Sequence, residues 1–144
     1  YVAMHMRGVP QTMQSLVDYP NGVVRDVVDY FRQRVDVLQS AGIARDAIIL
    51  DPGFGFAKSL EQSVELLASV KSLCALGYPV LAGVSRKSMI YKRLSITPEQ
   101  ALPGSLAFAW EALRGGCRIL RVHDVAATRQ VVDLYESYKT YFND

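Results

Sequence analysis

The stretch AIILDPGFGFAK, residues 47–58, contains the strand that decides the fold and the loop that follows it. Residues 47–50 are a continuous apolar run that Asp51-Pro52-Gly53 ends, which is typical of a parallel strand buried on both faces. A parallel strand is joined to its neighbour by a crossover, usually a helix. The stretch therefore favours an α/β fold, in which the rest of the chain alternates strands with helices.

Strand, loop and helix recur four times along the chain. The predicted strands are residues 1–6, 47–50, 79–84 and 117–122. The predicted helices are residues 22–41, 60–76, a short segment that ends at 94, 104–113 and 126–141. Because the connections are short and no linker interrupts them, we expect a single domain, residues 1–144, with parallel strands and right-handed crossovers.

The composition is that of a globular protein and excludes several function classes. Of the 144 residues, 50% are hydrophobic and 21% are charged. Apolar runs are shorter than the roughly 18 residues of a membrane span, and residues 1–7 lack the layout of a signal peptide. A net charge of +2 is too small to indicate a nucleic acid partner. Cys74 and Cys117 lie in apolar settings with no close partner, so we expect buried, reduced thiols and a cytoplasmic location.

Polar clusters follow the predicted strands and mark the expected ligand site. They are residues 7–8, 51–58, 85–88 and 121–124. In α/β folds, ligands bind at the carboxyl ends of parallel strands. We therefore expect these four clusters to meet at one rim of the fold.

The segment 51–58 is the most unusual of these clusters. A carboxylate such as Asp51, if it stays ionised, can accept two adjacent N–H donors from a flat heterocycle. The glycines let the backbone approach a ligand, and Phe54 and Phe56 offer rings for an aromatic substrate. The alternative is that Asp51 caps the following turn and both phenylalanines belong to the core.

Two of the other clusters are suited to anions, and the first of them also to a polar ring. Ser85-Arg86-Lys87-Ser88 places two cations at the start of a helical turn, although Ser85 could be an ordinary N-cap. Arg121 and His123 lie two residues apart near the end of a strand, so they share a face and could hold phosphate. Asp124 is interpreted as the N-cap of the last helix rather than as a catalytic acid.

Several other residues have simpler interpretations. His5 is interpreted as a core group with satisfied hydrogen bonds rather than as a catalytic residue. Met4 or Met6 could border a ring-shaped ligand, although core packing is the simpler explanation. The aromatic side chains of the last helix indicate packing or a subunit contact, and they are Tyr135, Tyr138, Tyr141 and Phe142.

Five segments, in this order and at this spacing, resemble the dihydropteroate synthase family. They are residues 4–14, 51–58, 85–88, 104–107 and 121–125. The family fold is an eight-stranded (β/α) barrel, which takes about 250 residues. The resemblance therefore implies that this chain is the C-terminal half of such a TIM barrel, with about four βα units that correspond to strands five to eight.

The resemblance implies a reaction and a set of site residues. The family condenses 4-aminobenzoate with 6-hydroxymethyl-7,8-dihydropterin diphosphate, which gives dihydropteroate and pyrophosphate. The resemblance implies pterin binding by Asp51, Lys87, Met6 and Gly55, aminobenzoate binding by Phe56, Ser85, Arg86 and Lys87, and diphosphate binding by Arg121 and His123.

The family also implies partners that this chain alone does not supply. Magnesium assists departure of the diphosphate, and its ligand is expected in the N-terminal half, as are an Asp and an Asn of the pterin pocket. The isolated segment is therefore expected to be inactive. Family members are homodimers through C-terminal helices, so residues 135–142 are a candidate contact.

The chain departs from the family at several positions and leaves alternatives open. Ala57 stands where Gly is usual, Gln62-Ser63 where His-Asn is usual, and Ala101 where Arg is common. Ala57 could tighten the loop, and Gln62-Ser63 could change how it is braced. The alternatives to a synthase are a non-catalytic half-barrel that binds pterin or dimerises, and the pterin domain of a corrinoid-linked methyltransferase. Lys87, Arg121 and His123 disfavour the latter, because methyl transfer has no diphosphate to hold.

Overall fold

Four short parallel strands form the centre of the fold. The computed structural model describes residues 1–141. The strands are β1 (Val2–Met4), β2 (Ile49–Asp51), β3 (Leu81–Ala82) and β4 (Ile119–Leu120). Met4 lies opposite Asp51, Leu50 bridges to Val80, and Leu81 lies opposite Ile119. Each strand thus lies beside its neighbour in sequence and all four run the same way, which confirms the predicted α/β class with parallel strands.

Helices connect the strands and cover them. In the described part of the chain they are α1 (Val23–Ser40), α2 (Leu60–Ala68), α3 (Lys71–Cys74), α4 (Ser88–Leu94), α5 (Leu102–Arg114) and α6 (Val125–Tyr138). Short 3-10 turns occupy Met13–Ser15, Arg45–Ala47, Pro98–Ala101 and Lys139–Tyr141. None of the helices within residues 1–141 combines the length and apolar character that crossing a bilayer requires.

The predicted helix over residues 60–76 is wrong in its continuity. Helix α2 ends at Ala68, and α3 begins at Lys71. Between them the Val70 N–H bonds to the Leu67 carbonyl, three residues back, so the chain tightens. This turn buries Val70 against Gly115, where a Cβ would lie only 2.2 Å from Val70 Cγ1. Val70 is thus buried at the break between the two helices.

The other predicted boundaries shift by a few residues. The β3 and β4 ladders are shorter than the predicted strands 79–84 and 117–122. The last helix ends at Tyr138, and the chain continues as a 3-10 turn, Lys139–Tyr141. Phe142, which was grouped with the aromatic residues of this helix, lies outside the described residues.

The core lies between the sheet and the helices. Helix α1 contributes one face, because its apolar residues recur at steps of three and four. The strands contribute the buried side chains of Ala3, Leu50 and Ala82. The largest fully buried side chains include Phe31, Phe54, Ile48, Leu50, Leu66, Leu73 and Met89.

The cysteines are closer together than the sequence indicated. Both are free thiols, with Cys117 buried and Cys74 partly exposed. Each thiol affects the other, because the interaction with Cys117 lowers the pKa of Cys74 and the interaction with Cys74 raises the pKa of Cys117. The prediction that they lack a close partner is therefore wrong, because α3 and the start of β4 meet in space.

Candidate active site

Three of the four predicted polar clusters, residues 51–58, 85–88 and 121–124, meet at the carboxyl ends of the strands. Asp51 is the last residue of β2, Lys87 lies between β3 and α4, and Arg121 follows β4. The Arg121 N–H donates to the Ala82 carbonyl at 3.1 Å, which ties the end of β4 to that of β3. Both Lys87 and Arg121 lie close enough to Asp51 to lower its pKa. The structure thus brings together residues that are up to 70 positions apart in sequence.

Asp51 caps the turn that follows it, as the alternative interpretation predicted, and its role as an acceptor for a heterocycle stays a prediction. It is only 5% exposed, and its Oδ1 accepts a hydrogen bond from the Gly53 N–H at 2.8 Å. Burial raises the pKa of Asp51 above its ordinary value. The Gly53 N–H opposes this rise, as do the charges of Arg121, Lys87 and Lys58. The carboxylate is therefore a buried acceptor supported by several positive groups.

Lys87 contacts the Phe56 ring and lies within electrostatic range of Asp51. Its Nζ lies 4.3 Å from the centre of the Phe56 ring, in a cation–π contact. Burial lowers the pKa of Lys87, Arg121 lowers it further, and Asp51 opposes both. A role for Lys87 in both the pterin and the aminobenzoate subsites stays a prediction.

A cavity of about 330 Å³ opens beside Lys87. It is lined by Gly83, Ser85, Lys87, Arg121, Val122 and His123. The Arg121 guanidinium lies over Gly83, where a Cβ would be 3.4 Å from Nε and Nη2. Gly83 therefore leaves room for the arginine to extend across the end of β3.

Ser85 orients His123 on the rim of this cavity. The Ser85 hydroxyl accepts the His123 backbone N–H at 3.2 Å and lies 3.0 Å from Nδ1. We assign the hydroxyl proton to Nδ1, which leaves Nε2 of the ring as an N–H donor. An outward donor beside Arg121 suits an anion, and Ser85 is not the N-cap of α4, a position that Lys87 occupies.

Arg86 forms an ion pair that the sequence did not indicate. Its Nη2 and Nε bond to the Asp124 carboxylate at 2.7 and 3.0 Å. Asp124 lies at the N-cap position of α6, as predicted, but its side chain makes no capping bond. The Arg86 N–H also donates to Ser105 Oγ at 2.9 Å, and Ser105 in turn donates to the Ala101 carbonyl. These bonds hold Arg86 at φ 53°, a left-handed conformation that is uncommon outside glycine.

The remaining predicted site residues have different environments. Met6 is 37% exposed beyond the end of β1, while Met4 packs near Gly53. Gly55, at φ 78°, donates its N–H to Ser63 Oγ at 3.1 Å. Phe54 is 1% exposed, so its proposed contact with a substrate is wrong and the core interpretation holds. Roles for Met6 and Gly55 in pterin binding stay predictions.

The departures from the family brace the loop directly. Ala57 adopts φ 52°, the left-handed conformation that glycine takes without strain, and its carbonyl accepts the Tyr19 hydroxyl at 2.8 Å. Gln62 bonds to the Val17 carbonyl at 2.8 Å and forms a capping box with Ser59. Ser63 receives the Gly55 N–H. Gly55 and Ala57 of the loop are thus held by hydrogen bonds with Ser63 and Tyr19.

The sequence did not indicate the contact between Lys58 and His5. Lys58 is 3% exposed, and its Nζ lies 2.9 Å from His5 Nδ1. His5 is 2% exposed and contacts the Tyr30 ring edge-on, so its interpretation as a satisfied core group is confirmed. A lysine that ends an apolar, glycine-rich loop is a weak signal, because lysine is usually solvated.

Metal ligands are not gathered at this site. Within residues 1–141, no group of three His, Cys, Asp or Glu side chains lies close enough together to hold a metal ion. The charged groups around the cavity are cationic instead. The site is therefore suited to anions and to a flat ring with N–H donors.

Comparisons with known proteins agree with this chemistry. Residues 1–123 match the model of the pterin binding enzyme family. A dihydropteroate synthase of Haemophilus influenzae is 46% identical over 134 residues, which are 93% of this chain and 48% of that protein. The chain thus spans about half the length of the curated relatives it matches.

Solved structures of dihydropteroate synthases superpose on nearly the whole of this chain. A Yersinia pestis dihydropteroate synthase with a sulfonamide drug complex superposes with a TM-score of 0.93 at 37% identity, over 98% of this chain and 51% of that chain. The Thermus thermophilus enzyme in complex with 4-aminobenzoate gives a TM-score of 0.90 at 38% identity, over 96% of this chain and 56% of that chain.

The buried histidine should make the protein sensitive to acid. Burial, Lys58 and Arg7 lower the pKa of His5 from 6.5 to about 3. Below pH 6.5 the unfolded chain binds a proton that the folded chain does not, so stability falls as the pH drops towards 3. This one group adds a slope of at most about 1.4 kcal/mol per pH unit.

The substitution His5→Asn tests this assignment, because the asparagine Oδ1 can replace Nδ1 as an acceptor but does not titrate. We expect the free energy of unfolding, measured with urea between pH 7 and about pH 4, to fall less steeply in the variant. Identical slopes in the two proteins would contradict a buried, neutral His5.

Proposed function

The chain belongs to the pterin-binding enzyme family, and from this we propose that it is the C-terminal half of a dihydropteroate synthase. The reaction, in folate biosynthesis, condenses 4-aminobenzoate with 6-hydroxymethyl-7,8-dihydropterin diphosphate and releases pyrophosphate. One observation carries the proposal. The buried Asp51 carboxylate lies within the electrostatic reach of Lys87 and Arg121, and Lys87 covers the Phe56 ring.

The pterin is proposed to bind at Asp51. An ionised carboxylate only accepts hydrogen bonds, so it suits the amino group and adjacent ring N–H of a pterin. Lys87 donates from the other side, to the ring carbonyl or a ring nitrogen. Met6 and Gly55 border the ring in this arrangement, because they follow β1 and β2 at the same rim.

The diphosphate is proposed to occupy the cavity of about 330 Å³. Arg121 offers a guanidinium fork and His123 an N–H donor, and both side chains reach the cavity from the end of β4. This grip holds the leaving group while the pterin is held by Asp51. It also argues against a methyltransferase, whose substrate has no diphosphate.

The 4-aminobenzoate is proposed to lie against Phe56 and Lys87. The half-buried Phe56 ring supplies an aromatic wall, and the Lys87 ammonium supplies a positive charge above it. Ser85 and Arg86 belong to the same loop, and the Arg86 side chain stays 30% exposed beside its partner Asp124. Ser85 acts here through His123, and Arg86 borders the substrate with the face that Asp124 leaves open.

We propose that residues 1–144 are one domain and form half of a TIM barrel. Within the described residues, β1 pairs only with β2 and β4 only with β3, so both outer edges are open. A largely apolar cavity of about 460 Å³ lies between β4 and α6. The chain spans 48% of its Haemophilus influenzae relative, and four further βα units would cover these surfaces. The half-barrel alone is proposed to be inactive.

Magnesium does not fit the described residues. The absence of a ligand cluster within residues 1–141, and the cations around the diphosphate cavity, give it no protein site there. We propose that its ligands lie in the part of the family's chain that this segment does not span. The roles proposed for Asp51, Lys87 and Arg121 do not involve the ion. The two free thiols suit a reducing compartment, and we propose the cytoplasm.

A second copy of the chain is proposed to dock on helices α5 and α6. Trp110 stacks edge-on against Tyr135 and tilted against Tyr138, with ring centres 5.6 Å apart in both pairs. Leu134 and Tyr141 are 64% and 81% exposed beside this aromatic cluster. Exposed apolar patches of this kind are typical of subunit interfaces.

Replacing the buried carboxylate should separate binding from stability. In the complete protein that contains this chain, Asp51→Asn removes a charge that burial disfavours but keeps an acceptor for the Gly53 N–H. Burial raises the pKa of Asp51, so the ionised carboxylate destabilises the folded protein at neutral pH. Asparagine carries no charge, and the variant should therefore melt a few degrees higher. Pterin affinity should fall roughly 100-fold, because the paired acceptor becomes half donor.

Calorimetry and thermal unfolding measure both effects. Asp46→Asn, at an exposed aspartate, is the matched control and should change neither quantity. If Asp51→Asn lowered stability and left pterin affinity unchanged, the carboxylate would be structural.

The two cations should act on different parts of the substrate. Lys87→Ala is expected to weaken binding of both the pterin and 4-aminobenzoate, whereas Arg121→Ala should act mainly on ligands that carry the diphosphate. Each lost charged hydrogen bond corresponds to roughly a 10-fold to 100-fold loss of affinity. Calorimetry with the pterin diphosphate, and with the pterin lacking it, distinguishes the two variants.

Lys71→Ala, at an exposed lysine of α3, is the control for loss of charge. Equal losses for Lys87→Ala and Arg121→Ala with both pterins would overturn the assignment. An absence of pyrophosphate release by the complete wild-type protein would overturn the synthase proposal itself.

A charge on the aromatic surface should prevent dimerisation. We expect Leu134→Asp to convert a dimer of the complete protein into a monomer, because it buries an unpaired carboxylate at the interface. Sedimentation equilibrium measures the change, and Val37→Asp, at a 56% exposed position of α1, should leave the dimer intact. A Leu134→Asp protein that remained dimeric would place the interface elsewhere.

A further inference from the structure

Lys58 is an unusual residue to find in an interior. It is only 3% exposed, and its three bonded neighbours are His5 Nδ1 at 2.9 Å, the Gly53 carbonyl at 3.1 Å and the Phe56 carbonyl at 3.0 Å. All three can accept a hydrogen bond, so together they use the three donors of an ammonium group. A buried charge is costly, and an apolar side chain of similar size is often as stable or more so. The lysine therefore calls for a role beyond stability.

The contacts of Lys58 define the turn that presents two recognition groups. The Gly53 carbonyl also accepts the Phe56 N–H at 3.0 Å, which closes the Gly53 to Phe56 turn. Gly53 donates its own N–H to Asp51 Oδ1. Lys58 thus holds the carbonyls at both ends of a turn that is bonded to the Asp51 carboxylate at one end and carries the Phe56 ring at the other.

Charge links the same groups. Asp51 raises the pKa of Lys58, and Lys58 lowers that of Asp51, so each favours the ionised form of the other. Burial, Arg7 and Lys87 act in the opposite direction and bring the pKa of Lys58 to about 7. The ammonium form is the one that matches three acceptors, and a neighbouring carboxylate supports it.

Glycine is required at position 53 of this turn. Gly53 has φ 67°, and a Cβ at this position would lie 2.1 Å from the His5 carbonyl. The turn therefore packs against the end of β1, where Lys58 Nζ also bonds to His5 Nδ1. Lys58 and His5 together join β1 to the 51–58 segment below the rim, out of reach of solvent.

We propose that Lys58 is a positioning residue, whose ammonium group fixes the Gly53 to Phe56 turn and so sets the Asp51 carboxylate and the Phe56 ring for the two substrates. This inference rests on the proposed function. Lys58 touches neither substrate in this arrangement, and acts through the two residues that do.

The substitution Lys58→Met in the complete protein tests the role. Methionine keeps the length of the apolar stem and removes the donors, and Lys71→Met on α3 is the matched control. We expect the amides of Gly53 and Phe56 to exchange hydrogen roughly 10-fold faster, because the carbonyl of each residue loses its hydrogen bond from Lys58. Amides of β2 should exchange as before. The melting temperature should change by a few degrees at most.

The kinetic effect should appear in KM. We expect KM to rise roughly 10-fold for both the pterin diphosphate and 4-aminobenzoate, with a smaller change in kcat, because binding geometry is lost and no reacting group is removed. Lys58→Gln, which keeps two N–H donors, should fall between the wild type and Lys58→Met. It also supplies the comparison if the methionine variant fails to fold.

The outcomes separate the two proposals. A wild-type protein without synthase activity would overturn the proposed function, and amide exchange would then decide whether Lys58 fixes the turn. An active wild type, with unchanged exchange and unchanged KM values in Lys58→Met, would overturn the role of Lys58. A general loss of protection across β2 as well as the turn would assign Lys58 to stability alone and would equally overturn the proposal.

Discussion

The site depends on keeping a carboxylate at a strand end that is shielded from water. Burial raises the pKa of Asp51, and a backbone N–H and three cations act against that rise. The sources of this support are spread across the fold, since Gly53 and Lys58 follow β2, Lys87 follows β3, and Arg121 follows β4. The parallel order of the strands is what brings them to the same rim. The fold that aligns the strand ends therefore also supplies the charges that support the Asp51 carboxylate.

Much of this arrangement could be predicted from the sequence, because it follows from local patterns. The apolar run before Asp51 identifies a buried parallel strand, and parallel strands place their carboxyl ends together. That is enough to bring Asp51, Lys87 and Arg121 to one edge without knowledge of any contact. Periodicity also located the first helix to within a residue at each end, since its buried face is long and regular.

The rest depended on contacts between distant residues, which periodicity does not encode. Phe54 and Phe56 lie two apart in a loop, and only the turn at Gly53 decides which ring is buried. Lys58 is buried because three acceptors from two segments surround it, whereas a lysine in a sequence usually indicates an exposed position. The burial of Val70 at the break after Ala68 likewise depends on a space that Gly115, more than 40 residues later, leaves for it.

The bonds from Ser85 to His123 and from Arg86 to Asp124 couple the loop after β3 to the loop after β4. Two loops joined at two points have few independent motions, so much of their conformational entropy is lost when the protein folds rather than when an anion arrives. Preorganisation of this kind lowers the entropic cost of association. A substitution in either loop would therefore alter anion affinity through the other loop. The effect of a mutation in one loop should also depend on the residues present in the other.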